Sequence, residues 1–192
     1  MRARGAGERA RLTGIVVFDL EVLLRLHDGD ARLQGQAQRA LRTLQRNGVG
    51  GDRANANPGS FRNAHGMQID RPGNVYVADR GNRRIQVFDS DGRFLKFLFL
   101  NVPYDKTRQP VLGNKPANAP DETAPWALCI TNTSPQYLYA ADVEPGRLYK
   151  MTLDGKILGY VGESGHQVGQ FNWIHGIACP AEDEVIVADI NN

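Results

Sequence analysis

At 192 residues, with 41% apolar side chains, the chain has the size and composition of one globular domain carrying a small extra piece. A net charge of +2, with arginines scattered rather than striped along one face, excludes a polyanion as the default partner, so nucleic acid is not expected. No apolar run reaches the ~18 residues a spanning helix needs, and the basic start lacks the apolar stretch of a secretory signal, so the sequence names no compartment.

Residues 1–13 are rich in Arg, Ala and Gly and read as disordered. Ile15-Val16-Val17-Phe18 predicts a buried strand and Asp28-Gly29-Asp30 a turn. Leu33, Ala37, Ala40, Leu41 and Leu44 then share one face of a helix ended by Asn47-Gly48. A strand ending in Asp19 before a helix resembles the opening of haloacid-dehalogenase-type phosphatases. The second aspartate of that pattern is Glu21 here, and Gly-Thr does not follow. Lysine is absent before Lys96 while arginine is frequent, a bias that a non-native reading frame in GC-rich DNA would produce. Residues 1–47 are therefore expected to be an appended extension, short α/β or disordered.

Residues 59–100 predict a four-stranded antiparallel unit. His65 to Ile69 alternates its side chains, Arg71-Pro72-Gly73-Asn74 is a turn, and Val75 to Asp79 returns as a second strand. Arg84 to Phe88 alternates again, Asp89-Ser90-Asp91-Gly92 turns, and a fourth strand starts at Arg93. Residues 101–124 carry Pro103, Pro110, Pro116 and Pro120 and predict a long loop. The unit then recurs over 125–162: Trp126 to Ile130 stands where His65 to Ile69 stood, Tyr137 to Asp142 matches the second strand, and Arg147 to Met151 the third. A third copy opens at 169, with Gly169-Gln170-Phe171 and His175-Gly176 repeating Gly59-Ser60-Phe61 and His65-Gly66, and runs to 192. Asp189 closes its second strand as Asp79 closes the first copy's.

Four-stranded units recurring at about 40 to 60 residues predict propeller blades. Ala78-Asp79-Arg80-Gly81-Asn82-Arg83-Arg84-Ile85-Gln86-Val87-Phe88 resembles the Ala-Asp-Arg-x-Asn-x-Arg-Ile-Gln-x-Phe run of NHL-repeat β-propellers, and within them of the bacterial relatives of peptidyl-α-hydroxyglycine α-amidating lyase. The resemblance covers about residues 48–192. It implies an all-β fold, a partial NHL-type propeller of about two and a half four-stranded blades. Six blades need well over the length available, so the sequence reads as a fragment of a longer propeller.

His65 and His175 hold equivalent positions at the start of innermost strands, which converge on a propeller axis. Converging imidazoles suit Zn²⁺, whose catalytic sites use three protein ligands and keep one position open. The resemblance implies that His65 and His175 match two of the three zinc histidines of the lyases. Trp126 occupies the equivalent place in the middle blade and cannot ligate. A polar residue at a blade start can equally well bond backbone at the channel mouth. The resemblance further implies that Arg80 faces a substrate carboxylate, against the alternative of a loop arginine paired with Asp79 or a neighbouring blade. The lyases' Asp-Gly-Tyr segment with its catalytic tyrosine does not occur, and Gly176 stands where their last motif carries an acid, so their calcium site is not matched.

Asp79, Asp142 and Asp189 recur at one blade position and are expected to accept backbone N–H bonds in the turns. Cys129 and Cys179 read as corresponding positions of two repeats, each inside a predicted strand, and the reading favours buried thiols in separate blades over a disulfide. Three functions follow for test. The first is a platform binding a small molecule or peptide C-terminus at the channel mouth. The second is a zinc-dependent lyase cleaving the N–C bond of a carbinolamide, and the third an interaction module whose open blade edges pair with another chain that completes the propeller.

Overall fold

Alternating β-branched and aromatic side chains separated by Gly- and Asp-containing turns become two antiparallel meanders in the computed structural model, which describes residues 57–108 and 116–190 together with the helical Gly35 and Arg39. The strand expected at 15–18 and the remainder of the helix expected from Leu33 to Leu44 lie outside the described residues. The first meander is β1 (Ala64–Ile69), β2 (Val75–Asp79), β3 (Arg84–Phe88) and β4 (Phe94–Leu98), hydrogen-bonded in that order. The second is β5 (Pro125–Ile130), β6 (Tyr137–Asp142), β7 (Leu148–Thr152) and β8 (Ile157–Val161). A short parallel pair, β9 (Glu163–Ser164) and β10 (Gln170–Phe171), precedes a third sheet of two strands, β11 (Ile174–Ala178) and β12 (Ile186–Asp189). Two four-stranded blades and the inner pair of a third make a partial β-propeller. No helix among the described residues is long and apolar enough to cross a membrane.

Local chemistry sets each turn. Asp70 accepts the backbone N–H groups of Gly73 (3.0 Å) and Asn74 (2.7 Å), and Gly73 takes φ 102°, which a side chain would resist. Asp89 and Gly92 (φ 79°) repeat the device before β4.

The first and second blades pack core clusters on both faces, and the period of two decides which residue faces which neighbour. Tyr76, Ala78, Ile85 and Val87 of the first blade pack against Leu128, Ile130, Leu138, Ala140, Tyr149 and Met151 of the second. The intervening residues Ala127, Cys129, Tyr139 and Ala141 face Ile174, Ile177 and Cys179 of the third. Leu100 and Thr123 are hydrogen-bonded (2.9 Å), so the loop between the first two blades leaves and returns at one point.

The cysteines correct the sequence reading: Cys129 and Cys179 form a disulfide with Cα atoms 6.0 Å apart. The register explains it. Pro125 opposes Asp142 and Ile174 opposes Asp189, so Cys129 lies four residues into its repeat and Cys179 five. One residue of offset flips the side chain to the other face. The cysteines thus occupy opposite blade faces, and those are the two faces that meet between the second and third blades. Closing a loop of sequence separation 50 contributes about 4 kcal/mol in the chain-entropy account.

The recurrent aspartates also differ from expectation. Asp79 accepts from the backbone N–H of Arg62 (2.7 Å), and Asp189 from those of Asn172 and Trp173 (both 2.7 Å), in the segments leading into the inner strands rather than in the turns. Asp142 takes the Thr123 hydroxyl instead (3.1 Å), and the corresponding backbone donor, Ala124 N–H, goes to Glu144 (3.2 Å).

Candidate functional site: an aromatic and cationic cluster on the inner strands

Each inner strand carries a bulge after its first residue: between Ala64 and Met67 in β1, Pro125 and Leu128 in β5, and Ile174 and Gly176 in β11. A bulge re-aims the side chain it contains. The residues in those bulges are His65, Trp126 and His175, and the structure brings the three rings together. The His65 and His175 ring centroids are 5.0 Å apart at an interplanar angle of 87°, an edge-to-face pair. Trp126 lies 4.6 Å from His65 and 6.2 Å from His175. Close approach of β1 to β5 depends on Gly66, where an added Cβ would fall 2.6 Å from the Trp126 carbonyl oxygen.

His65 is half-buried, with Nδ1 3.3 Å from that same carbonyl, which assigns the ring proton to Nδ1 and the lone pair to Nε2. Burial, with the His175 ring and the Arg80 guanidinium nearby, holds the His65 pKa down to about 4, although the Trp126 carbonyl pulls the other way. The imidazole is therefore neutral at pH 7. His175 is exposed.

Arg80 starts a single 3₁₀ turn, Arg80–Asn82, directly after β2. Gly81 seats that turn by donating to the Arg62 carbonyl (2.7 Å). The guanidinium lies 4.1 Å above the centre of the Trp126 ring, and burial lowers its pKa. Among the described residues no carboxylate pairs with Arg80. The expected alternative partner Asp79 is fully buried and already accepts from Arg62 N–H, Asn82, Arg84 and Gln86.

Two features were not singled out in the sequence. Trp173, just before β11, meets Trp126 edge-on at 5.0 Å. The indole N–H groups of Trp126 and Trp173 are both buried without an acceptor among the described residues. An aromatic residue one place ahead of the inner strand was the available signal for Trp173. The cluster thus brings together a guanidinium, two imidazoles and two indoles. Among the described residues no group of three or more His, Cys, Asp or Glu could hold a metal ion, and the His65–His175 pair by itself falls short of the three protein ligands a catalytic zinc takes.

Comparison with known proteins places one part of this chain. Residues 61–88 match the NHL repeat model. The human NHL repeat-containing protein 3 is 56% identical and its mouse counterpart 53% identical over 34 residues, which is 18% of this chain and 10% of either relative's length. Among solved structures, virginiamycin B lyase from Staphylococcus aureus aligns over 67% of this chain and 35% of its own, at 14% identity and a TM-score of 0.43. Kuenenia stuttgartiensis hydrazine synthase aligns over 71% and 32%, at 10% identity and a TM-score of 0.45. The stretch similar to the NHL repeat, residues 61–88, runs through β1, β2 and β3 of the first blade of a partial β-propeller.

Proposed function

We propose that the blades form a rigid binding platform and that the ligand, a small molecule or peptide C-terminus bearing a carboxylate, seats on the cluster over Trp126. The observation that carries this reading is Arg80. It is half-buried, stacked at 4.1 Å on an indole, and has no carboxylate partner among the described residues. A partly desolvated guanidinium without a counter-charge is costly, and a bound carboxylate would offset that cost through two parallel N–H···O bonds. The lyase-like Ala-Asp-Arg run gives Arg80 the same task. Calorimetric titration with N-acetylglycine and with its amide analogue N-acetylglycinamide tests it. The acid is expected to bind, the amide to bind weakly, and Arg80→Gln to lose about tenfold or more in affinity for the acid. Equal binding of acid and amide would overturn the reading.

The pairing of His65 with His175 favours a second reading, the zinc-dependent lyase. Two imidazoles with ring centroids 5.0 Å apart suit a borderline metal, and zinc bound there would polarise a substrate hydroxyl. Arg80 would hold the carboxylate of the same substrate. Stoichiometric zinc lost in both His65→Ala and His175→Ala would support this reading, and absence of zinc binding by the unaltered protein would end it.

A further inference from the structure

Among the described residues no sheet hydrogen bond joins β11 of the third blade to β5 of the second. β11 and β5 belong to separate sheets, so side chains alone set their spacing. The described interface there is also the smaller one: β11 and β12 stand as a pair, whereas the first and second blades meet through four strands each. Besides the apolar cluster and the contacts of the Trp126 ring with Trp173 and His175, three links cross it among the described residues. The Tyr139 hydroxyl donates to the Glu182 carbonyl, Lys150 pairs with Glu182 (3.0 Å), and the Cys129–Cys179 disulfide is the covalent tie.

The disulfide is also the link nearest the cluster along both strands. Cys129 sits three residues beyond Trp126 in β5, and Cys179 four residues beyond His175, just past β11. Both sulfurs are buried. His65 and Arg80 come from the first blade and Trp126 from the second, and Gly66 seats β1 directly on β5. His175 and Trp173 alone come from the third blade. The ligand surface therefore has two halves, and the disulfide spans the seam between them.

We propose that Cys129 and Cys179 are positioning residues for the cluster: their disulfide fixes β11 against β5, so that His175 and Trp173 meet His65 and Trp126 only in the oxidised chain. Reduction by a dithiol breaks the Sγ–Sγ bond, takes two electrons and two protons, and yields two cysteine thiols and the oxidised cyclic form of the reductant. The half of the site on the first two blades stays in place, and the half on the third is released. The platform is then competent where an oxidising environment keeps the bond closed. The carboxylate part of this inference rests on the binding function proposed above.

Nuclear Overhauser contacts between ring protons test the inference without any ligand. In the oxidised protein, contacts are expected for both His65–His175 and His65–Trp126. After reduction with dithiothreitol, and in the Cys129→Ser/Cys179→Ser double variant, the His65–His175 contact should vanish while the His65–Trp126 contact persists. N-acetylglycine affinity should fall by about tenfold or more on reduction and return on reoxidation. Persistence of the His65–His175 contact in the reduced chain overturns the proposal. So does loss of every ring contact together with far-ultraviolet circular dichroism, because the bond would then hold the fold rather than the site. If oxidised protein fails to bind N-acetylglycine, the carboxylate function falls, while the ring contacts still decide the role of the disulfide.

Discussion

Arg83 of the first blade grips Glu144 of the second in a two-point ion pair, Nη1 to Oε2 at 2.8 Å and Nη2 to Oε1 at 2.7 Å, with the Glu144 side chain fully buried. Arg83 reaches it because the residue adopts the left-handed conformation (φ 55°) just after the Arg80–Asn82 turn. The same guanidinium donates to the Glu122 carbonyl (2.8 Å), so one side chain fastens the end of the long loop and the next blade together.

Removing Arg83 leaves the buried Glu144 carboxylate without its guanidinium partner. Arg83→Ala is expected to destabilise the protein by about 3 kcal/mol, and Glu144→Gln in the Arg83→Ala background to recover part of the loss, because the buried group is then neutral. Equilibrium urea unfolding of the three proteins measures this. Equal midpoints for the parent and Arg83→Ala would remove the clamp from the account.

Asp79 anchors the first blade as Glu144 anchors the junction. Its carboxylate is fully buried and accepts from Arg62 N–H, Asn82 Nδ2, Arg84 Nε (2.8 Å) and Gln86 Nε2 (2.9 Å). Asp79→Ala is expected to cost about 3 kcal/mol or more, since it also leaves a buried arginine without its carboxylate. Asp79→Asn keeps the shape and should cost less. The ordering of the two denaturation midpoints is the check.

Glycine at equivalent places in β1 and β11 has different work to do. A Cβ on Gly66 would lie 2.6 Å from the Trp126 carbonyl oxygen and 3.1 Å from the Leu128 nitrogen, both backbone atoms that cannot step aside, whereas one on Gly176 meets nothing nearer than the Ala188 Cβ at 3.7 Å. Gly66→Ala is expected to lower stability by about 2 kcal/mol and to weaken the His65–Trp126 contact, while Gly176→Ala remains near parental stability. Thermal unfolding of the pair distinguishes them.

Asp142 should make stability fall with rising pH. Its carboxyl is fully buried, and burial pushes its pKa up to about 8, only partly offset by neighbouring donors including the Thr123 hydroxyl and the nearby Arg147. The native state therefore holds a proton that the unfolded chain releases at ordinary carboxylate pH. This group's contribution is complete below about pH 4 and is lost as pH rises through about 8. Asp142→Asn, which cannot ionise, is expected to flatten that slope and to be at least as stable as the parent at pH 9. Urea midpoints at pH 5, 7 and 9 provide the measurement, and parallel profiles for the two proteins would refute it.

The blades were legible in the sequence because their determinants are local. Val75-Tyr76-Val77-Ala78 and Leu138-Tyr139-Ala140-Ala141 alternate two buried faces, and Asp70 with Gly73, or Asp89 with Gly92, carries its turn chemistry within five residues. Equivalence of His65, Trp126 and His175 was legible too, since a repeat preserves position along the strand.

What those equivalent residues touch was not, because contact between blades depends on side-chain direction and on spacing between separate sheets. Cys129 and Cys179 show the limit: they fall in corresponding strands, yet one residue of offset put them on the two faces that meet, and they bond. Arg80 shows it again, since the run that contains it does not say that the guanidinium lies flat on Trp126 rather than on an acid. The sequence by itself determined the strands, the turns and the order of the repeats, all fixed by interactions within a few residues. Tertiary structure alone decided that two indoles and a guanidinium pack beside the converging imidazoles, because only the packing of one blade on the next brings distant residues within reach.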